Sequence, residues 1–212
     1  MIVGIIPARG GSKGIKRKNL VEVCGKPLIF WTIQSALKSK SLHDIFVSTE
    51  DDEIGRYCHS LGIKVLRRPK RLSNDMTRTI EVLGYHFVTD LSPDTTICTL
   101  QPTSPIRFAG TIDACVDKYL NNKSSILATG YDCKIQPFGQ NNNLPRQKIK
   151  GFFYDDGNVY LHSPSALKSE TWSSKNALKF YTQEAETFEI DTEIDLKVAA
   201  FLLNELRGIN AI

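Results

Sequence analysis

The sequence predicts an α/β fold built on a mostly parallel central sheet. Three observations carry that expectation. Strand-like and helix-like segments alternate over the first 130 residues. Two of the strand segments, Ile2–Ile6 and Ile97–Leu100, are near-continuous apolar runs, as strands covered on both faces should be. The first of them runs straight into a Gly-rich loop, at the edge where open α/β sheets bind ligands.

Each element has its own signal. Ile2 to Pro7 is the first strand, and Ala8 to Gly14 the loop that follows it. Leu28, Trp31, Ile33, Ala36 and Leu37 recur at helical spacing, so Leu28 to Leu37 is a helix. Asp44 to Ser48 is a short strand bounded by Thr49, Glu50, Asp51 and Asp52. Ile54 to Leu61 is a helix closed by Gly62, and Ile63 to Leu66 another strand. Thr79 to Thr89 is helical. Thr95 to Leu100 is a strand cut off by Pro102 and Pro105. Ile112 to Leu120 is a helix and Ser125 to Thr129 a strand. The pattern then breaks. Gly130 to Lys150 is polar and irregular, with Asn141, Asn142 and Asn143 in a row, and reads as a loop or arm. Gly157 to His162 resumes as a strand, Phe188 to Ile190 is a short strand, and Thr192 to Leu206 is an amphipathic helix.

Composition limits the class of protein. At 212 residues, 41% hydrophobic and 24% charged, the chain is of globular type and long enough to bury a core without disulfides. No apolar run approaches the ~20 residues that span a bilayer. Met1 to Pro7 is too short for a secretory leader. Five scattered cysteines with no C-x-x-C pair argue against zinc and disulfide frameworks, and so for a reduced, cytoplasmic protein. The net charge of +4 is concentrated. Arg9, Lys13, Lys16, Arg17 and Lys18 fall within ten residues that hold no acid; without them the 27 basic residues drop below the 23 acidic ones. A second basic cluster is Arg67, Arg68, Lys70 and Arg71. Two compact cationic loops on a neutral body suit a small polyanion better than a duplex, the competing reading being two solvated loops.

The loop after the first strand has the chemistry of a phosphate cradle. Gly10, Gly11 and Gly14 allow close approach and inward-turned amides, Arg9, Lys13 and Lys18 supply positive charge, and Ser12 adds a donor. It is neither a Walker A loop, which needs Gly-Lys-Ser/Thr, nor a G-x-G-x-x-G dinucleotide loop.

The segment IIPARGGSKGIKRKNL (Ile5 to Leu20) followed by GKPLI (Gly25 to Ile29) resembles the signature of the acylneuraminate (sialic acid) cytidylyltransferases, the CMP-sialic acid synthetases. VSTEDDEI (Val47 to Ile54), RRPKRLSND (Arg67 to Asp75), LQPTSPIR (Leu100 to Arg107) and FEIDTEIDL (Phe188 to Leu196) agree in order and spacing. The resemblance implies a Rossmann-like nucleotidyltransferase fold over residues 1–212 as a single domain, with a dimerisation and substrate arm at about residues 130–160. It implies a homodimer that uses CTP and Mg²⁺. It also implies the reaction: CMP passes to the anomeric hydroxyl of a nine-carbon α-keto sugar acid, a sialic acid or a relative such as legionaminic acid, and pyrophosphate leaves.

Roles carry over by the same resemblance. Arg9, Gly10, Gly11, Ser12, Lys13, Lys18, Asn19, Arg68, Asp75 and Thr79 match nucleotide positions, with Arg9, Lys18 and Asp191 nearest the chemistry. Gln101, Arg146, Asp156 and Tyr160 match sugar positions. Asp191 and Glu189 are the metal candidates; two apart on a short strand, they would share one face. Glu189 departs from the Asp of sialic acid enzymes, and Asp156 from their usual Asn. The arm between Gln101 and Arg146 is also shorter than theirs. Thr192-x-x-Asp195 fits a helix capping box, which gives Asp195 a structural role. Trp172 fits either a sugar pocket or core packing. The four histidines form no catalytic spacing. The alternatives are the same chemistry on Kdo or another shorter α-keto sugar acid, and a nucleotide-sugar glycosyltransferase. Gln101-Pro102-Thr103-Ser104-Pro105 stands against the first, since Kdo enzymes carry an acidic residue in that turn. Asp51-Asp52, a poor likeness of a D-x-D site, stands against the second.

Overall fold

The computed structural model describes residues 1–87, 95–137, 139–140, 143–209 and 211–212. Among them, seven strands form one sheet: β1 (Ile2–Pro7), β4 (Asp44–Thr49), β5 (Lys64–Arg67), β6 (Thr96–Leu100), β7 (Ile126–Cys133), β8 (Phe152–His162) and β9 (Leu178–Tyr181). Their order is β5-β4-β1-β6-β8-β7-β9. Only β8 runs against its neighbours, antiparallel to both β6 and β7; the other pairings are parallel. The expected α/β fold with a mostly parallel sheet is therefore present. A separate two-stranded hairpin, β2 (Glu22–Val23) with β3 (Lys26–Pro27), turns through Cys24 and Gly25, both at positive φ.

β1 shows why the sheet is central. Ile2 and Ile6 pack into a core on one face, with Ile29 and Ile33 of α1 (Leu28–Lys38) and with Val47. Val3 and Ile5 pack into a second core on the other face, with Ile80 and Leu83 of α3 (Thr79–Phe87) and with Ile97. Consecutive β-branched residues thus serve opposite faces of one strand. α2 (Asp52–Ser60) starts on the Asp51 carboxylate, which accepts from the Glu53 and Ile54 amides. α4 (Thr111–Leu120) precedes β7. The last helix, α6 (Glu193–Gly208), has the expected capping box, Thr192 with Asp195. It buries Leu196, Ala199 and Leu203 against Ile15, Val23, Leu28 and Trp31. No helix among the described residues is long and apolar enough to cross a membrane.

Three expectations fail locally. Gly130 to Lys150 is not irregular from its start: β7 continues to Cys133 and pairs with the beginning of β8, from Gly130 against Asp155 to Cys133 against Phe152. Gly130 permits this, since a Cβ there would collide with the Tyr154 carbonyl and the Phe153 ring. Asn141 and Asn142, and the last residues of the Thr79 to Thr89 helix, lie outside the described residues. Phe188 to Ile190 is not a strand: the Ile190 amide donates to the Thr103 carbonyl at 2.8 Å, but no ladder follows. Its apolar side chains are there to fill the core beneath α6. Finally, α5 (Pro164–Lys168) and β9 were not anticipated, although Ser163-Pro164 is an N-cap and N1 pair.

Ile5 is fully buried between β-sheet and α3. Ile5→Ala should cost about 2–5 kcal/mol in urea unfolding. A loss under about 1 kcal/mol would mean that the second face of β1 is not packed.

Candidate active site

β1 and β6 are parallel neighbours whose chains leave in opposite directions, β1 towards β4 and β6 towards β8. A crevice opens at their carboxyl ends, as the topology requires. It holds a cleft of about 250 Å³, lined on one wall by Pro7, Arg9, Gly11, Ser12, Lys18 and Asn19, and on the other by Gln101, Pro102 and Thr103. Arg68, Leu72, Asn74, Asp75, Thr77, Thr79 and Val82 complete it. Of the ten residues matched to the nucleotide, eight therefore line one cleft. Lys13 stands at its mouth, bonded to Asp75.

Gly10 is the exception. Its amide donates to Glu50 Oε1 at 2.8 Å and so is not turned towards the cleft. A side chain at Gly10 would run into Asp51, and one at Gly14 into the Asp191 carbonyl. Both glycines serve packing of the loop against its neighbours, whereas a Cβ on Gly11 would meet only open space.

Glu50 is the functional residue that the sequence does not mark, since it reads there only as a strand boundary. Besides Gly10 it accepts from Ser73 Oγ at 2.7 Å and pairs with Arg68 Nε at 3.3 Å. Burial alone would raise its pKa, but the Ser73 hydroxyl, the Gly10 amide and the Arg68 charge hold it below the usual carboxylate range. Arg68 is itself 8% exposed, and burial lowers its pKa against the opposing pull of Glu50. Asn19 works in the same way: its Nδ2 donates to the Arg9 carbonyl at 2.9 Å, tying the two ends of the loop together.

The cationic loops are less bare than their composition suggests. Asp75 bonds both Arg9 (2.8 Å) and Lys13 (3.0 Å), and the Lys13 bond leads in holding the exposed Asp75 pKa down. Arg17 is taken by Asp51 and Glu53, Arg67 by Asp52, and Lys18 by Asp191 at 3.0 Å. An incoming polyanion therefore exchanges partners with carboxylates rather than meeting free charge.

Beyond Lys18 and Thr103 lies a second group of polar residues. Lys18 Nζ, with its side chain 13% exposed, also donates to the Ile190 carbonyl at 2.9 Å. Thr103 Oγ1 donates to Glu189 Oε1 at 3.2 Å. Burial raises the Glu189 pKa, and the nearby Asp191 charge raises it further. Asp195 Oδ2 accepts from the amides of Asp191 and Thr192, fixing the backbone that carries Asp191. Glu189 and Asp191 thus face one another's charge across a coil rather than along one strand face. Their hard oxygens, with Lys18 as a neighbouring cation, suit a divalent ion. Among the described residues no three His, Cys, Asp or Glu gather into a metal cage. An ion held here would complete its shell with phosphate and water, the habit of Mg²⁺.

The sugar positions scatter. Gln101 Nε2 is 3.5 Å from Thr79 Oγ1 in the cleft. Tyr160 is buried and donates to Asp155 Oδ2 at 2.7 Å, its ring 4.6 Å from that of Trp172. Asp156 does not line the cleft: its carboxylate accepts from Thr129 Oγ1 (2.5 Å), Thr182 Oγ1 (2.6 Å) and the Asn158 amide (3.0 Å), and the residue is 2% exposed. Gly157, at φ 69°, breaks the strand alternation, so Asp155 rather than Asp156 meets Tyr160. Arg146 is exposed on a 3₁₀ turn and does not line the cleft.

A cytidylyltransferase family model matches residues 3–209. The chain is 26% identical over 209 residues to the N-acylneuraminate cytidylyltransferase of Streptococcus agalactiae serotype III, covering 90% of this chain and 50% of that protein. It thus spans about half the length of such relatives. It is 30% identical to the pseudaminic acid cytidylyltransferase of Campylobacter jejuni strain 81-176, covering 93% of this chain and 94% of that one. Among solved structures, CMP:2-keto-3-deoxy-manno-octonic acid synthetase complexed with CTP superposes with a TM-score of 0.72 at 16% identity, over 96% of this chain and 98% of that one, a likeness of fold.

Two outcomes follow from the geometry. Asp75→Asn frees Arg9 and Lys13, so pyrophosphate should bind about two- to tenfold more tightly in calorimetry, the gain shrinking with salt. Weaker binding would show that Asp75 does not compete for them. His86, bonded to Ser48 Oγ at 2.9 Å, has its pKa pushed down to about 4 by burial and by Arg68. An unfolded histidine titrates near ~6.5. Between these values the unfolded chain takes up a proton that the folded one refuses, so stability falls as pH drops from about 6.5 towards 4. His86→Gln should flatten that part of the unfolding curve; parallel curves would refute it.

Proposed function

The chain belongs to the cytidylyltransferase family, and from that premise we propose that it transfers CMP from CTP to the anomeric hydroxyl of a nine-carbon α-keto sugar acid. Sialic acid and relatives such as legionaminic acid are the substrates proposed. The observation that carries this reading is the pairing of two loops at the switch point, with Arg9, Ser12 and Lys18 facing Gln101 and Thr103 across one cleft.

In this reading Arg9, Gly11, Ser12, Lys13 and Lys18 hold the triphosphate, with Arg68 and Asn19 on the nucleotide side. The sugar hydroxyl oxygen attacks the α-phosphorus and its proton passes to solvent, the bond from that phosphorus to the bridging oxygen breaks, and pyrophosphate leaves with the electron pair. Lys18 stands between the phosphate loop and Asp191, where it stabilises charge building on the leaving group. Glu189 and Asp191 would hold Mg²⁺, which when bound would offset phosphate charge. Asp75 and Thr79 border the nucleotide and the sugar, and Gln101 offers both a donor and an acceptor to sugar hydroxyls. Tyr160, through Asp155, supports the sugar wall. Asp156 braces the strands behind that wall.

The chain acts as one domain and as a homodimer in this proposal. The β7–β8 extension carries exposed Phe152 and Tyr154, and Ile135 and Leu144 are exposed beyond it. Such an apolar surface fits a second copy, whose site Arg146 would then complete. All five cysteines are free, which fits the reducing cytoplasm where CTP is made.

The test is pyrophosphate release by the purified protein with CTP and Mg²⁺ against N-acetylneuraminic, legionaminic and pseudaminic acids and Kdo, with UTP, GTP and ATP as controls. Release with CTP and a nine-carbon acid is expected. Lys18→Ala should lower kcat about 10²–10³-fold, and Asp191→Ala should abolish the signal. Release with Kdo alone, or none with any acid by a protein that binds CTP, would overturn the assignment of the sugar.

A further inference from the structure

Arg107 is the largest fully buried side chain of the molecule's described residues, at 2% exposure. It lies six residues after Gln101, beyond the two prolines that stop β6. Among the described residues no carboxylate lies within ion-pair distance of it. Its hydrogen bonds go to neutral oxygens: Nη1 donates to Thr32 Oγ1 at 2.9 Å, and Nη2 to the carbonyls of Gln101 and Asn158, each at 2.8 Å. Thr32 Oγ1 in turn lies 3.4 Å from the Gln101 carbonyl. Burial lowers the Arg107 pKa only to about 10, so the group stays charged at neutral pH.

The nearest carboxylates, Asp156 and Glu186, act on Arg107 from beyond ion-pair distance. A buried cation without a direct partner is costly, and an apolar residue of the same volume would fill the space more cheaply. What the guanidinium supplies is a rigid planar fork that bonds three elements at once: α1, the end of β6 and the middle of β8. One prong holds the backbone of Gln101 itself, whose side chain reaches into the cleft beside Thr79.

We infer that Arg107 is the positioning residue that sets Gln101 in the cleft and thereby the affinity for the sugar acid. This rests on the proposed function for its substrate, but not for its geometry. Arg107→Lys keeps the charge and loses the fork; Thr32→Val removes one acceptor while conserving shape. In each, KM for the sugar acid should rise about tenfold, with KM for CTP and kcat within about twofold and the circular dichroism of the wild type. Equal rises in both KM values, or a lower Tm with KM unchanged, would reduce Arg107 to a structural role and overturn the inference. A second readout needs no turnover. The Gln101 side-chain amide signals, assigned by their loss in Gln101→Ala, should shift in both variants, while those of Asn19 stay in place. Unmoved Gln101 signals in folded variants would sink the inference. Moved signals in a protein that transfers no CMP would leave it standing and remove the function instead.

Discussion

The site is organised around one partly buried carboxylate. Glu50 sits at the carboxyl end of β4 and bonds the Gly10 amide of the first loop and both Arg68 and Ser73 of the loop after β5. Without a negative charge there, the Gly-rich loop, the buried Arg68 and the Ser73 turn would have no common anchor. Glu50 also offsets the desolvation of Arg68, which is 8% exposed. The cleft is a space between loops, and those loops are held apart at defined distances by this carboxylate and by the Asn19 bond to the Arg9 carbonyl.

Charge is balanced before any ligand arrives. Arg9 and Lys13 share Asp75, and Lys18 holds Asp191. The Asp75 pairs are partly open to solvent, and in the Lys18 pair the carboxylate is 73% exposed, so water screens each of them and each can be exchanged. A triphosphate with several charges can displace them together, which favours a polyanion over a single carboxylate. In the proposed reaction, releasing Asp75 and Asp191 would leave two acids free beside the triphosphate.

The sequence reached the site unevenly, and the pattern of success is physical. The loop after β1 and the turn after β6 were legible because their residues are consecutive and their chemistry is local: glycines, cations and prolines directly following an apolar run. Asp195 was legible as a cap for the same reason. Glu50 was not, since its three partners are 18 to 40 residues distant and nothing near it in sequence marks a buried acid. The burial of Asp156 was not legible because strand alternation is a rule about regular strands. Gly157 at positive φ and the register shift between Ala128 and Gly130 break that rule, turning Asp156 inward and bringing Asp155 to Tyr160.

The amino-acid order alone determined the α/β class, the place of the Gly-rich cationic loop and the family motifs, because hydrophobic period, turn chemistry and short-range spacing are properties of neighbouring residues. Tertiary structure decided which cations are already paired, which glycines serve packing rather than a ligand, that Phe188 to Ile190 is not a strand, and that a lone buried Arg107 grips Gln101. Those outcomes depend on burial and on partners far apart in the chain, and neither is expressed in any local stretch of sequence.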